Sequence, residues 1–69
     1  MALTIQERKR SYLAEIYAEL NNRGIAKEDI QRIINKTGFM SALEDYPEEQ
    51  MHYSIEDAVN EILVVAASE

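Results

Sequence analysis

Apolar residues recur along this chain at the spacing of one helix face, and nowhere do they alternate long enough to make a strand. Leu13, Ile16, Tyr17 and Leu20 form the first stripe. It follows Thr4-Ile5-Gln6-Glu7, a capping-box signature in which a hydroxyl and a carboxylate satisfy orphan amides of the first turn. That helix should stop at Asn21-Asn22-Arg23-Gly24, where glycine suits the left-handed position past the end and Ile25 can pack back on the last turn. A second stripe of Ile30, Ile33 and Ile34 predicts a helix from about Lys27 to Lys36. Glu28 and Asp29 lie near its positive end and Lys36 near its negative end, and Ile25 can staple against Ile30. Gly38 then ends it.

Phe39, Met40, Ala42 and Leu43 form an apolar cluster that predicts one or two helical turns. Glu44 to His52 reads as a polar connector in which Pro47 can begin a turn but not occupy the interior of one. Ser54 is an N-cap signal, with Tyr53 before it as a staple residue. The last helix carries Ile55, Ala58, Val59, Ile62 and Ala66 on one face, widened by Leu63 and Val65, with Val64 nearly opposite. A surface helix keeps that opposite side polar, so these last turns are expected to be buried on more than one side. The pattern as a whole predicts an all-α fold, a compact bundle of three to four short helices forming one domain over residues 1–69. The first helix should pack across the unit formed by the second and last. Leu13, Ile16, Leu20, Ile30, Ile33, Phe39, Val59 and Ile62 are the expected core.

At 69 residues, folding buries only roughly 60% of the surface an unfolded chain exposes, so a second subunit would add useful area. Cysteine is absent, which removes disulfides, thiolate metal sites and thiol nucleophiles from consideration. Met1 to Gln6 carry no basic stretch followed by an apolar run, and the longest apolar run, Ile62 to Ala67, is too short for a bilayer. The expectation is a cytoplasmic protein without membrane contact. Charge is distributed unevenly. All seven basic residues lie at or before Lys36, with five of the thirteen acids; the other eight acids follow with no base among them. A formal charge of −6 argues against adhesion to nucleic acid.

Catalytic chemistry finds little support. There is one histidine, no phosphate-cradling glycine loop, and no strand-turn-helix elbow for a nucleophilic serine. The expectation is no enzyme activity and no cofactor. Glu49 and His52 have the E-x-x-H spacing of carboxylate-bridged metal sites, but such sites need a second copy and further carboxylates. A single copy among neighbouring acids reads as a solvated segment.

Residues Ile16 to Lys36, with Gly24 at the turn and Ile30 and Ile33 as anchors, resemble a helix-turn-helix. That resemblance would turn Lys27, Gln31, Arg32, Asn35 and Lys36 toward DNA; Leu20 and Glu19 depart from the usual small and apolar residues. Asp29-Ile30, Gly38-Phe39, Ala42-Leu43, Ile55 to Val59 and Ile62-Leu63 resemble ubiquitin-associated-like three-helix modules. That likeness implies a partner-gripping patch at Gly38-Phe39-Met40 and the last helix. The connector from Glu44 to Tyr53 is longer than such modules have, and an extra helix precedes them.

The function expected from these residues is non-catalytic protein–protein interaction through an apolar patch with an acidic rim: Phe39, Met40, Glu44, Asp45, Glu48 and Glu49. Leu63, Val64 and Val65 are expected to support a homodimer, antiparallel so that basic halves face acidic ones, and sensitive to salt. The alternatives are a small DNA-binding regulator, or an acidic inhibitor presenting carboxylates to a nucleic-acid-binding cleft. These readings separate on random duplex DNA at low salt, where no mobility shift is expected. A salt-sensitive shift at low micromolar protein that weakens in Arg32→Ala would favour the regulator.

Overall fold

Local signals set most of the helix boundaries in the computed structural model, which describes residues 3–68. Five helices follow one another: α1 (Ile5–Asn22), α2 (Lys27–Thr37), α3 (Phe39–Asp45), α4 (Pro47–Met51) and α5 (Ile55–Ala67). They make up 82% of the described residues, which include no strand, so the fold is the expected small all-α bundle. The capping box opens α1: the Glu7 amide donates to the Thr4 hydroxyl at 3.1 Å, and the Thr4 amide donates to the Glu7 carboxylate at 2.9 Å. The Thr4 amide first, and its hydroxyl second, hold the Glu7 carboxyl below its ordinary range.

Gly24, at φ 90°, lets α1 end in a Schellman arrangement. Its amide donates to Asn21 at 3.0 Å and the Ile25 amide to Leu20 at 3.3 Å, which folds Ile25 back toward the core. At Gly38, φ 73°, the chain leaves α2 and enters α3 with no intervening loop. In α5 the Ser54 hydroxyl accepts the Asp57 amide at 3.1 Å.

α1 packs against α5, α2 and α4, and α2 also packs against α5. Into the core go Tyr12, Ile16 and Leu20 from α1, Ile30 and Ile34 from α2, Phe39 and Leu43 from α3, and Ala58, Val59 and Ile62 from α5. Six of the eight expected core residues are buried, but Leu13 and Ile33 lie half-buried at its edge. Both helices are rotated relative to the sequence reading. The buried line of α1 runs Lys9, Tyr12, Ile16 and Leu20, and that of α2 runs Ile30 to Ile34, so Ile33 faces the boundary with solvent.

The polar connector is corrected to the end of α3 followed by one short helix, α4. Pro47 supplies the preset φ of a first helical position, and Glu48 and Glu49 lie at the positive end of α4. What docks this polar turn is Tyr12. Its hydroxyl proton lies between two carbonyls at the end of α4, Gln50 at 3.0 Å and Tyr53 at 3.1 Å. The Tyr12 ring stacks on Phe39, centroids 6.3 Å apart and planes 14° from parallel. Burial pushes the Tyr12 phenol above its ordinary range, with the Gln50 bond acting in the opposite direction. Coverage of the far side of α5 by the chain itself is not found: Val65 and Ala66 are half-buried, but Val64 stays 61% exposed because no element among the described residues crosses over it.

Two predictions follow from this packing. Ile34→Ala should cost about 2–5 kcal/mol in urea unfolding, and Ile33→Ala on the order of 1 kcal/mol, the reverse of a ranking that puts Ile33 at the centre of the face. Tyr12→Phe should cost about 1–3 kcal/mol by leaving helix-end carbonyls short of a donor. Because the folded-state phenol titrates above its ordinary value of 10.0, its contribution is fully present below that pH and is lost as pH rises through the folded value. The alkaline fall in stability should therefore be shallower in Tyr12→Phe than in the parent.

Candidate interaction groove

The uneven charge of the chain is folded back on itself. Lys9, buried to 8% exposure, extends its ammonium to Glu44 at 3.2 Å, and Arg8 one position earlier approaches Glu48 at 3.6 Å. The basic start of α1 thus lies against the acidic α3 and α4. Arg23, at the other end of α1, pairs with Glu19 at 3.0 Å and donates to Asn60 of α5 at 2.6 Å. Of the acids expected to rim a partner site, Glu44 and Glu48 are therefore engaged within the chain. Asp45 and Glu49 are exposed and take part in no ion pair among the described residues.

The apolar half of the expected patch is divided. Phe39 lies in the core at 4% exposure, whereas Met40 turns outward. Leu63 packs at the core edge and Val65 is half-buried, leaving Val64 as the exposed member of the self-association set. The helix-turn-helix candidates Lys27, Gln31, Arg32, Asn35 and Lys36 are all exposed on α2, with Arg32 paired to Asp29 at 3.2 Å. Glu49 and His52 are exposed as well, and no group of three His, Asp or Glu side chains among the described residues is placed to hold a metal.

What the fold does assemble is a furrow between α3–α4 and α5. Three depressions of about 550, 450 and 120 Å³ adjoin one another, all lined by Gln50. The largest runs from Gln50 and Tyr53 along the Asp57, Asn60, Glu61 and Val64 side of α5. The second opens on the α3–α4 side between Ala42, Tyr46, Glu49 and Tyr53 with no α5 residue in its lining, and the smallest reaches down to the edge of Phe39 and to Val65. The tyrosine rings and Val64 stand largely in solvent, at 61% for Tyr46, 57% for Tyr53 and 61% for Val64. Aromatic side chains can contribute contact area at little entropic cost, which is why interfaces are enriched in them.

This furrow unites Glu49, Val64 and Val65 from two separately expected sets with Tyr46, Tyr53, Asp57 and Glu61, which sequence reasoning passed over. Part of that signal was present. Asp57, Glu61 and Val64 repeat at helical spacing and define one face of α5, directly after the outward-turned Tyr53. In comparisons with known proteins no family model matches the chain, and neither does any curated protein or solved structure.

The ion pairs give a test of which acids belong to the fold. Glu44→Gln should cost about 1 kcal/mol in thermal or urea unfolding, because it strips a nearly buried ammonium of its partner. Glu48→Gln, whose partner Arg8 is exposed, should cost no more than about 0.5 kcal/mol.

Proposed function

We propose that this chain is a non-catalytic binding module that receives a protein partner in the furrow between α3–α4 and α5. The observation that carries this reading is the grouping of Tyr46, Tyr53 and Val64, the three most exposed large hydrophobic side chains outside the N-terminal turn, around adjoining depressions that share Gln50 and Tyr53. A chain this small has little reason to hold two tyrosine rings in water beside an uncovered helix face unless another surface closes over them. The titration shifts belong elsewhere: those of Glu7 and Tyr12 are explained by a helix cap and by core packing.

A second reading, α2 as a DNA-recognition helix, has in its favour that its five polar and basic candidates share an exposed helix. The duplex experiment described above decides it.

The binding reading is tested by photo-crosslinking in cells of the source organism. A photoreactive residue replaces Tyr53 or Val64 in the furrow, Gln31 on α2, or Ala14 on the exposed side of α1. Discrete adducts of higher mass are expected from Tyr53 and Val64 and not from Ala14. Adducts from Gln31 alone, or no adduct at any position, would remove the furrow as the functional surface.

A further inference from the structure

The furrow's walls determine what kind of segment it can hold. They are helices, and the described residues contain no strand whose edge could add a partner strand. A surface walled by helices can receive a helix laid in a groove. α5 has 13 residues, about 20 Å of helix, which matches a partner of three to four turns.

Charge narrows the choice further. Glu49, Asp57 and Glu61 line the furrow, no Lys or Arg does, and none of the three takes part in an ion pair among the described residues. This contrasts with Glu44 and Glu48, which the basic end of α1 neutralises. Arg23, which reaches the lining residue Asn60 at 2.6 Å, is already paired with Glu19 at 3.0 Å. A furrow that has Ala42, Ala58, Val64 and Val65 in its lining together with carboxylates that take part in no ion pair is complementary to an amphipathic helix with cationic flanks. The rings of Tyr46 and Tyr53 add faces on which Lys or Arg can rest.

A second copy of this chain fits less well. A two-fold dimer through the furrow would bring the same three carboxylates together on a chain of formal charge −6. Nor does the basic face of α2 supply a suitable guest, because its apolar residues are already used: Ile30 and Ile34 are buried and Ile33 packs against the core. The chain has a cationic surface and an apolar surface, but not on one free helix.

Resting on the furrow reading above, we propose that the occupant is a cationic amphipathic helix of another protein. It lies along α5 with its apolar side on Ala42, Val64 and Val65 and its Lys or Arg side chains against Glu49, Asp57 and Glu61.

The test uses the full chain, isotopically labelled, titrated with synthetic helical peptides of about 14 residues. One peptide carries Leu on one face and Lys on the other; a second replaces Lys with Glu; a third keeps the Lys content but scrambles the amphipathic order. The first should give saturable amide shifts centred on Gln50, Ala58, Glu61 and Val64, and the other two should not. The paired reversal Asp57→Lys and Glu61→Lys should weaken binding about tenfold or more while circular dichroism shows the helices retained. Equal binding of the acidic or scrambled peptide, or shifts centred on α2, would overturn the proposal. So would concentration-dependent dimers of the chain alone, by sedimentation equilibrium, that Val64→Glu abolishes, since the furrow would then belong to a second copy. Adducts at Tyr53 in cells with no cationic peptide bound would overturn the charge assignment and leave the furrow reading standing. Failure of both removes the two together.

Discussion

The candidate surface of this bundle depends on one long-range contact that holds the end of α4, the Tyr12 hydroxyl between the carbonyls of Gln50 and Tyr53. α4 is a single short helix with no buried side chain of its own, and a helix of that length has no independent stability. The Gln50 carbonyl at its end accepts the Tyr53 amide at 3.3 Å, and Tyr12, from a buried position stacked on Phe39, adds a second donor there and reaches the Tyr53 carbonyl just beyond the helix. By docking the end of α4, the same contact places Gln50 at the floor of the furrow and Tyr53 on its wall. A hydrogen bond that completes a helix end therefore also shapes the candidate binding surface.

The second organising feature is electrostatic. A chain whose basic residues all lie in its first half and most of whose acids lie in its second would be expected to offer opposite charges to different partners. Instead α1 turns Arg8 and Lys9 toward Glu48 and Glu44, consuming part of the polarity within the molecule. The net contribution of the exposed Arg8 pair is small. Lys9 differs because its side chain is nearly buried, so its stem packs as apolar surface while its ammonium is paired with the exposed Glu44 carboxylate. Pairing of Glu44 and Glu48 distinguishes them from Asp45, Glu49, Glu56, Asp57 and Glu61, which take part in no ion pair among the described residues.

Helix existence and most helix ends were legible from residues alone, because caps and stripes are local. Thr4 with Glu7, Gly24 with Ile25, and Ser54 with Asp57 each act within a few positions, and all behave as the pattern implied. The rotation of each helix was less legible. Ile33 and Ile34 are equally apolar, and only the direction from which α1 and α5 approach α2 makes Ile34 core and Ile33 edge. Lys9 and Tyr12 were missed because a polar atom hides the apolar area that a long side chain can bury.

The candidate site was legible only in fragments. Val64 stood out by its apolar character on the far side of α5, and Glu49 by its place in an acidic run. Their meeting in one furrow, with Tyr46 and Tyr53, depends on how α4 leaves Pro47 and where its end is held. The sequence by itself determined an all-α chain, its caps and its asymmetry of charge, since these arise from neighbours along the backbone. Tertiary structure alone decided which acids are neutralised and which side of α5 stays uncovered. The reason is distance along the chain: the contacts that settle both, Lys9 to Glu44 and Tyr12 to Gln50, join residues 35 and 38 positions apart, beyond the reach of any local pattern.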